Sequence, residues 1–411
     1  MKLWTGQTIS TFGSTITREA IPYIAVITLG ATPVQMGLLA AAASVPVLLI
    51  GLIAGAQADR LRRRPLMIAA DLLRAVLVLV VPAAAVLGIL RLQELFAIAA
   101  LAGAVGVFFD VAYPTYVPTL VRRDQLVEAN SKLGLSSSLA EVAAPGLAGV
   151  LVQTLTGPIA MLIDAASFVW SAISVALIRA PEPAPAPPAD RQHLGREIID
   201  GLRTLMGHPV LRAFALTGAT GAFFGNFFAT LYGLYAYRVL HLTPALLGIA
   251  VAMGGAGELI GAPLAARVSR RFGVGRTLVA TSLIGSAVSL LIPLARGPVV
   301  LAAAMLMISQ LVNDGANAIY GINELSVRQA ITPGRLLGRV NAGMQLLRSG
   351  IGPLGAIVAG VLAQAISPRP TVLVAVLGGA LGVIWLVRSP IPGLKGLPDC
   401  AVAGQTGAGR S

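Results

Sequence analysis

Apolar residues fill this chain in long runs, separated by short clusters of polar residues, glycine and proline. The runs fall at roughly 5–29, 35–57, 66–90, 95–118, 131–153 and 157–178, and again at roughly 210–237, 245–266, 276–295, 298–321, 340–364 and 370–388. Each is close to the ~20 residues a helix needs to cross hydrocarbon. Between the two sets lies a polar break, Arg179–Pro209, containing PEPAPAPPAD. Its proline-rich first half predicts extended chain, and Arg191–Met206 predicts a surface helix. The pattern predicts an all-α membrane protein of twelve transmembrane helices in two six-helix bundles, residues 1–178 and 210–388. Residues 179–209 form the linker, and 389–411, rich in Gly and Pro, form a disordered, dispensable tail.

Composition agrees with the pattern. Of 411 residues, 56% are hydrophobic and only 11% charged, with a mean hydropathy of +0.83; soluble domains carry about 25% charged residues. A large soluble domain is excluded. Lys2 is followed by a long apolar stretch without a small-residue cleavage site, which predicts a retained first span. The net charge of +13 comes from basic residues concentrated on one side. The tails, the linker and the alternate loops on their side hold 22 of the 30, whereas the opposite loops hold four: Arg91, Arg238, Arg296 and Arg369. That asymmetry predicts cytoplasmic termini and a cytoplasmic linker, and it explains the charge without a nucleic-acid partner. Cys400 is the lone cysteine, and His193, His208 and His241 lie in or beside loops; neither a disulfide nor a His-rich metal site is available. Abundant Ala, Gly, Pro and Arg with three lysines suggest a GC-rich bacterial genome, hence the inner (plasma) membrane.

The two halves repeat one another. Thr32-Pro33-x-x-x-Gly37 returns as Thr243-Pro244-x-x-x-Gly248, and Leu126-x-x-x-Asn130 as Leu337-x-x-x-Asn341. Pro145 is matched by Pro353, and Asp110 by Asp314. Parallel six-span repeats predict pseudo-symmetric bundles around a central cavity, rocking to give alternating access.

Between spans 2 and 3 stands Gly55-Ala-Gln-Ala-Asp59-Arg60-Leu-Arg62-Arg63-Arg64. It resembles the loop signature Gly-x-x-x-Asp-Arg-x-x-Arg-Arg of the major facilitator superfamily. Within that superfamily, Gly13…Ala20-Ile-Pro22, Asp71-Leu-Leu-Arg74-Ala and Leu126-Val-Glu-Ala-Asn130 are similar to bacterial exporters related to macrolide and enterobactin efflux proteins. Ala140-x-x-x-Ala144-Pro145-x-x-x-Gly149 resembles a degenerate antiporter motif, with Pro145, Gly149 and Pro353 at helix-packing positions. The resemblance implies that Asp59 caps span 11, that Arg63 reaches Asp110, and that Gly55, Arg60 and Arg64 complete a cytoplasmic latch. The alternative is that these arginines only set topology. The second half has no acid between Glu258 and Asp314, so the latch is expected in the first half alone. Where many such exporters carry an acid after the span 1 glycine, this chain has Ser14 after Gly13.

Ionisable groups at membrane depth face a cavity or a partner. Arg18 and Glu19, being adjacent, are expected to project about 100° apart, and Asp71 and Arg74 to pair at i, i+3. Glu19, Glu141 and Glu258 have no basic residue four positions away and are the candidates for proton coupling; fixed ion pairs with Arg18 or Arg348 are the alternative. Asn313, Asn317, Tyr320 and Glu324 share a face of span 10. Eight of the 21 aromatics fall between Phe214 and Tyr237, with Phe223, Asn226, Phe227 and Thr230 on one face. That face, with Arg18, Asn313, Asp314, Asn317 and Arg348, is the expected lining of a cavity for an amphipathic or aromatic solute; lipid contact is the plainer alternative.

The expectation is a monomeric secondary transporter exporting a hydrophobic or amphipathic small molecule, drawing on the proton gradient and needing no cofactor. The alternatives are a lysolipid or lipid transporter, a gradient-independent facilitator and, more remotely, a membrane enzyme or scaffold. Against an enzyme, the chain has no nucleotide loop, HExxH, Cys/His cluster or Gly-x-Ser-x-Gly.

Overall fold

The computed structural model describes residues 2–58, 62–122, 125–179 and 194–396, and among these every regular element is a helix. The first bundle comprises α1 (Lys2–Tyr23, continued by a π-helical turn at Ile24–Thr28), α2 (Pro33–Ala58), α3 (Arg63–Val86), α4 (Leu92–Leu120), α5 (Leu126–Leu155) and α6 (Gly157–Ala176). After the linker helix α7 (Leu194–Gly207) come α8 (Pro209–Arg238), α9 (Pro244–Phe272), α10 (Val274–Ser289) with the short α11 (Leu291–Leu294), α12 (Val299–Ile331), α13 (Gly334–Ile366), and α14 (Pro368–Ala380) with α15 (Gly382–Val387). The expected twelve spans are therefore present, the ninth and twelfth each broken once. The twelfth breaks just beyond Gly378-Gly379, a pair that weakens helix. Eleven spans are long and apolar enough to cross a membrane on their own composition; α1, with Gln7, five threonines and the Arg18–Glu19 pair, is not. It is sheltered instead, packed on α5 and α6.

Helix starts explain one repeated motif. Proline is the first residue of both α2 and α9, where its missing N–H is no loss. Thr32 Oγ1 accepts from Gln35 N at 3.3 Å, and Gln35 Oε1 accepts from Thr32 N at 2.8 Å. Thr243 Oγ1 likewise accepts from Leu246 N at 3.3 Å. The glycine of each copy serves the crossing between bundles. A Cβ on Gly37 would press on the Ala356 carbonyl at 2.6 Å and on Gly360 Cα at 3.3 Å, and a Cβ on Gly248 would run into the Pro145 carbonyl and approach Gly149 Cα at 3.1 Å. Two backbone-to-backbone crossings, α2 on α13 and α5 on α9, thus join the bundles through small residues.

These crossings lie toward the face opposite the termini. On that face Arg238 Nη2 also donates to Val26 O at 2.9 Å, Tyr23 meets Tyr237 edge-on at 5.4 Å, and Ala245 N donates to Gln153 Oε1 at 3.2 Å. Arg369 Nε donates to Tyr235 Oη at 3.2 Å and its Nη2 to Ala295 O at 2.8 Å, while Tyr235 Oη donates to Ile292 O at 3.1 Å. Tyr235 is fully buried. Tyr235→Phe removes both bonds of its hydroxyl and is expected to lower stability by about 1–2 kcal/mol, read as a drop in the thermal midpoint of purified protein.

On the terminal face Lys2 Nζ donates to Leu177 O at 2.9 Å, tying the start of α1 to the end of α6. Leu205 of α7 is fully buried with Phe214, Val340 and Met344, so the predicted surface helix is docked on one side. The tail expectation needs correction for residues 389–396. Ile391 is fully buried in that same core, and Gly275 N donates to Leu394 O at 2.9 Å, an approach that the missing Cβ of Gly275 permits. Residues 397–411, with Cys400, lie outside the described residues.

Candidate functional site

The bundles meet around acids drawn from both halves. α5 presents Glu141, and α9 presents Glu258 across the crossing where Gly255 lies against the Glu141 carbonyl and Val142. Both glutamates line a pocket of about 340 Å³ with Ser138, Gly255 and Gly321. Asp314 of α12 lies within electrostatic reach of both. It occupies the space a Cβ on Gly254 would need, and its Oδ1 accepts from Asn313 Nδ2 at 2.9 Å. Two of the three coupling candidates are therefore brought together with Asp314, the repeat counterpart of Asp110 and an expected cavity-lining residue. Three carboxylates from three helices, converging where the bundles cross, repel one another and attract a cation or a proton.

Glu19, the third candidate, stands apart. Its Oε1 lies 4.0 Å from Arg18 Nε, and it lies within electrostatic reach of Tyr232 and Tyr237 on α8. Although the two residues project from α1 in different directions, the long arginine side chain curls round the helix to its neighbour, the contact that the alternative reading allowed.

Arg348 does not serve Glu141. It reaches Glu324 instead, Nη2 to Oε2 at 3.7 Å, while Arg328 Nη1 lies 3.1 Å from Glu324 Oε1 on the same helix. The Glu324 side chain is only 4% exposed, so this acid is a structural anchor that spacing alone did not single out. Asn313, Asn317, Tyr320, Glu324 and Arg348 all line a hollow of about 520 Å³ within the second bundle. The shared face expected of span 10 is therefore real.

The aromatic face of span 7 requires correction. Asn226 packs on Gly352 and Phe223 on Gly355, the two glycines letting α13 close against this side; Phe227 and Thr230 are buried. The neighbouring face, with Gly221, Phe224, Gly225 and Phe228, lines the hollow. Helical register at one-residue precision decided between the two faces, and the sequence does not show which one α13 covers.

Of the loop motif, Asp59 and Arg60 lie outside the described residues, and Gly55 falls in the last turns of α2, where only the backbone is described. Arg63 opens α3. Arg64 donates through Nε to Val175 O at 3.2 Å and through Nη2 to Ala176 O, fastening α3 to the carbonyl end of α6 within one bundle. Asp110 faces Arg74. Pro145, Gly149 and Pro353 are buried, Gly149 at the α5–α9 crossing itself. Among the described residues no group of three metal-binding side chains is found.

Comparison with known proteins gives this architecture its relatives. The model of the Major Facilitator Superfamily matches residues 3–309 and 222–399. The chain is 31% identical over 373 residues to the multidrug efflux pump Tap of Mycolicibacterium fortuitum, covering 88% of each chain. It is 26% identical over 294 residues to the enterobactin exporter EntS of Citrobacter koseri, covering 68% of this chain and 67% of that one. Among solved structures, the nucleoside transporter NupG shares the fold with a TM-score of 0.73 at 12% identity, covering 94% and 98% of the two chains. A bacterial homologue of the iron transporter ferroportin, in an inward-facing state, does so with a TM-score of 0.71 at 17% identity, covering 94% and 97%. The twelve helices, the paired bundles and these matches together make the chain a member of the major facilitator superfamily of membrane transporters.

Proposed function

We propose that this transporter is a proton-driven exporter of hydrophobic or amphipathic small molecules, working as a monomer without a cofactor in a bacterial inner membrane. The observation that carries the reading is the convergence of Glu141, Glu258 and Asp314 where the bundles cross. A carboxylate held there can take either a proton or a substrate cation, so that one displaces the other. Relatives named as a multidrug efflux pump and an enterobactin exporter support the outward direction. With the termini cytoplasmic, as the basic loops favour, the joined face is the outer one, and the described arrangement corresponds to an inward-facing state.

The test is accumulation of a panel of fluorescent hydrophobic dyes in inside-out vesicles, with and without an imposed pH gradient. Wild type should concentrate dye only with the gradient, and Glu141→Gln or Glu258→Gln should remove that dependence. Glu19→Gln, away from the crossing, should keep it. Uptake indifferent to the gradient and to all three substitutions would replace this reading with lipid movement or facilitated diffusion.

A further inference from the structure

Inside the first bundle, away from the crossing, one guanidinium serves three carboxylates. Arg74 of α3 is an electrostatic partner of Asp71 on its own helix, of Asp110 on α4 and of Asp164 on α6. It stacks 4.7 Å over the Phe168 ring and fills the space beside Gly106, where a Cβ would meet its Nη2 at 3.1 Å. Asp71 is 0% exposed and Asp164 is 1% exposed. Both carboxylate oxygens of Asp71 are buried, and Ser171 of α6 lies beside them. Asp164 Oδ1 accepts from Ser167 Oγ at 3.1 Å, and α1 contributes Thr17, whose buried hydroxyl faces Asp164. The ionisable pair of α1, Arg18 and Glu19, is engaged with itself and with the α8 tyrosines. Asp110, unlike the two inner aspartates, is exposed.

The fold does not require these charges. The spacing that carries Thr32-Pro33 onto Thr243-Pro244 carries Asp71, Arg74, Asp164 and Phe168 onto Ser282, Gly285, Ala375 and Gly379. All four of those residues line the 520 Å³ hollow, so the second bundle holds its helices around the same place with small, uncharged side chains. In the first bundle, ionising both inner aspartates against a single shared guanidinium would leave uncompensated charge in a low-dielectric interior.

We propose that Asp71 and Asp164, with Arg74 between them, form a proton-binding site inside the first bundle, separate from the carboxylates at the crossing. A proton taken up on a carboxylate oxygen of either aspartate cancels one negative charge and frees the guanidinium toward Asp110; loss of that proton draws it back. The inference extends the proton-driven reading above, but its test involves no transport.

The test is infrared spectroscopy of the full chain, purified in a detergent free of ester carbonyls, in light and heavy water near neutral pH. Wild type should show the deuterium-sensitive carbonyl stretch of a protonated carboxylic acid. Asp71→Asn or Asp164→Asn should diminish that band, Glu141→Gln should leave that component in place, and Arg74→Gln should intensify it by removing the competing cation. A missing band in wild type, or a band unchanged by both asparagine substitutions, overturns the proposal. Should the asparagine variants fail to elute as a single species, Arg74→Gln decides, since an unchanged band there is equally fatal. A band that behaves as expected while dye uptake ignores the gradient would keep this site and sink the export reading; the reverse pattern would do the opposite.

Discussion

Gly149→Leu is expected to abolish gradient-driven dye accumulation while leaving the protein inserted in the membrane. Gly149 lies backbone to backbone with α9, and a Cβ there would run into the Pro244 carbonyl and come within 3.1 Å of Gly248 Cα. Neither obstacle is a flexible side chain that could step aside. Overpacking of this kind costs about 1–3 kcal/mol. It would fall only on the state in which the bundles are joined on this face, which shifts that closing equilibrium by roughly 5- to 150-fold. The pseudo-symmetric partner, Gly360→Leu at the α2–α13 crossing, should behave alike, because its Cβ would meet the Pro33 carbonyl at 2.6 Å. Gly134→Leu is the control, on the same helix as Gly149 but with open space around it. Cysteine cross-linking between α5 and α9 on the joined face reports the closure directly. Equal cross-linking in Gly149→Leu and wild type would refute the account.

The second large effect concerns stability. Arg328→Leu leaves Glu324, 4% exposed, with Arg348 at 3.7 Å as its remaining charged partner in place of two. Breaking a buried ion pair from one side costs about 3–5 kcal/mol. The retained arginine places the expected loss near the lower end, about 3 kcal/mol. Pairing the change with Glu324→Gln should restore most of the loss, because the stranded charge disappears with its partner. Thermal unfolding of the two single variants and the double variant in one detergent measures this. Additive losses would mean that the three charges do not act as a unit.

Much of this was legible in the sequence. Eleven of the twelve apolar runs became spans because a helix in lipid must be both long and apolar, and the more polar first run follows by packing on α5 and α6. The repeated Thr-Pro-x-x-x-Gly proved to be a capped helix start followed by a close crossing, two jobs that need those residue types at that spacing. What the sequence concealed were contacts between segments far apart along the chain. Glu141, Glu258 and Asp314 meet only because α5, α9 and α12 cross, and nothing local to any of them marks the meeting. Arg348 was open to pairing with Glu141 by pseudo-symmetry, yet Glu324 was within its reach. The aromatic face of α8 went to α13 because Gly352 and Gly355 invite close approach from outside the run. The tail looked like loose chain because one buried isoleucine, Ile391, carries almost no pattern.

The polarity of α1 bears on how the protein is made. A segment that falls short of membrane-spanning hydropathy, as α1 does, is a weak signal to the insertion machinery, which admits each emerging helix according to its apolarity. Orientation then falls to α2 and to the arginine-rich loop behind it, and α1 becomes stable in lipid once α5 and α6 are present to pack against it. α1 is thus among the last helices of its bundle to be secured. A nascent chain cut short before α6 would hold α1 in the membrane without its shelter, and would be the form most readily surrendered to quality-control proteases.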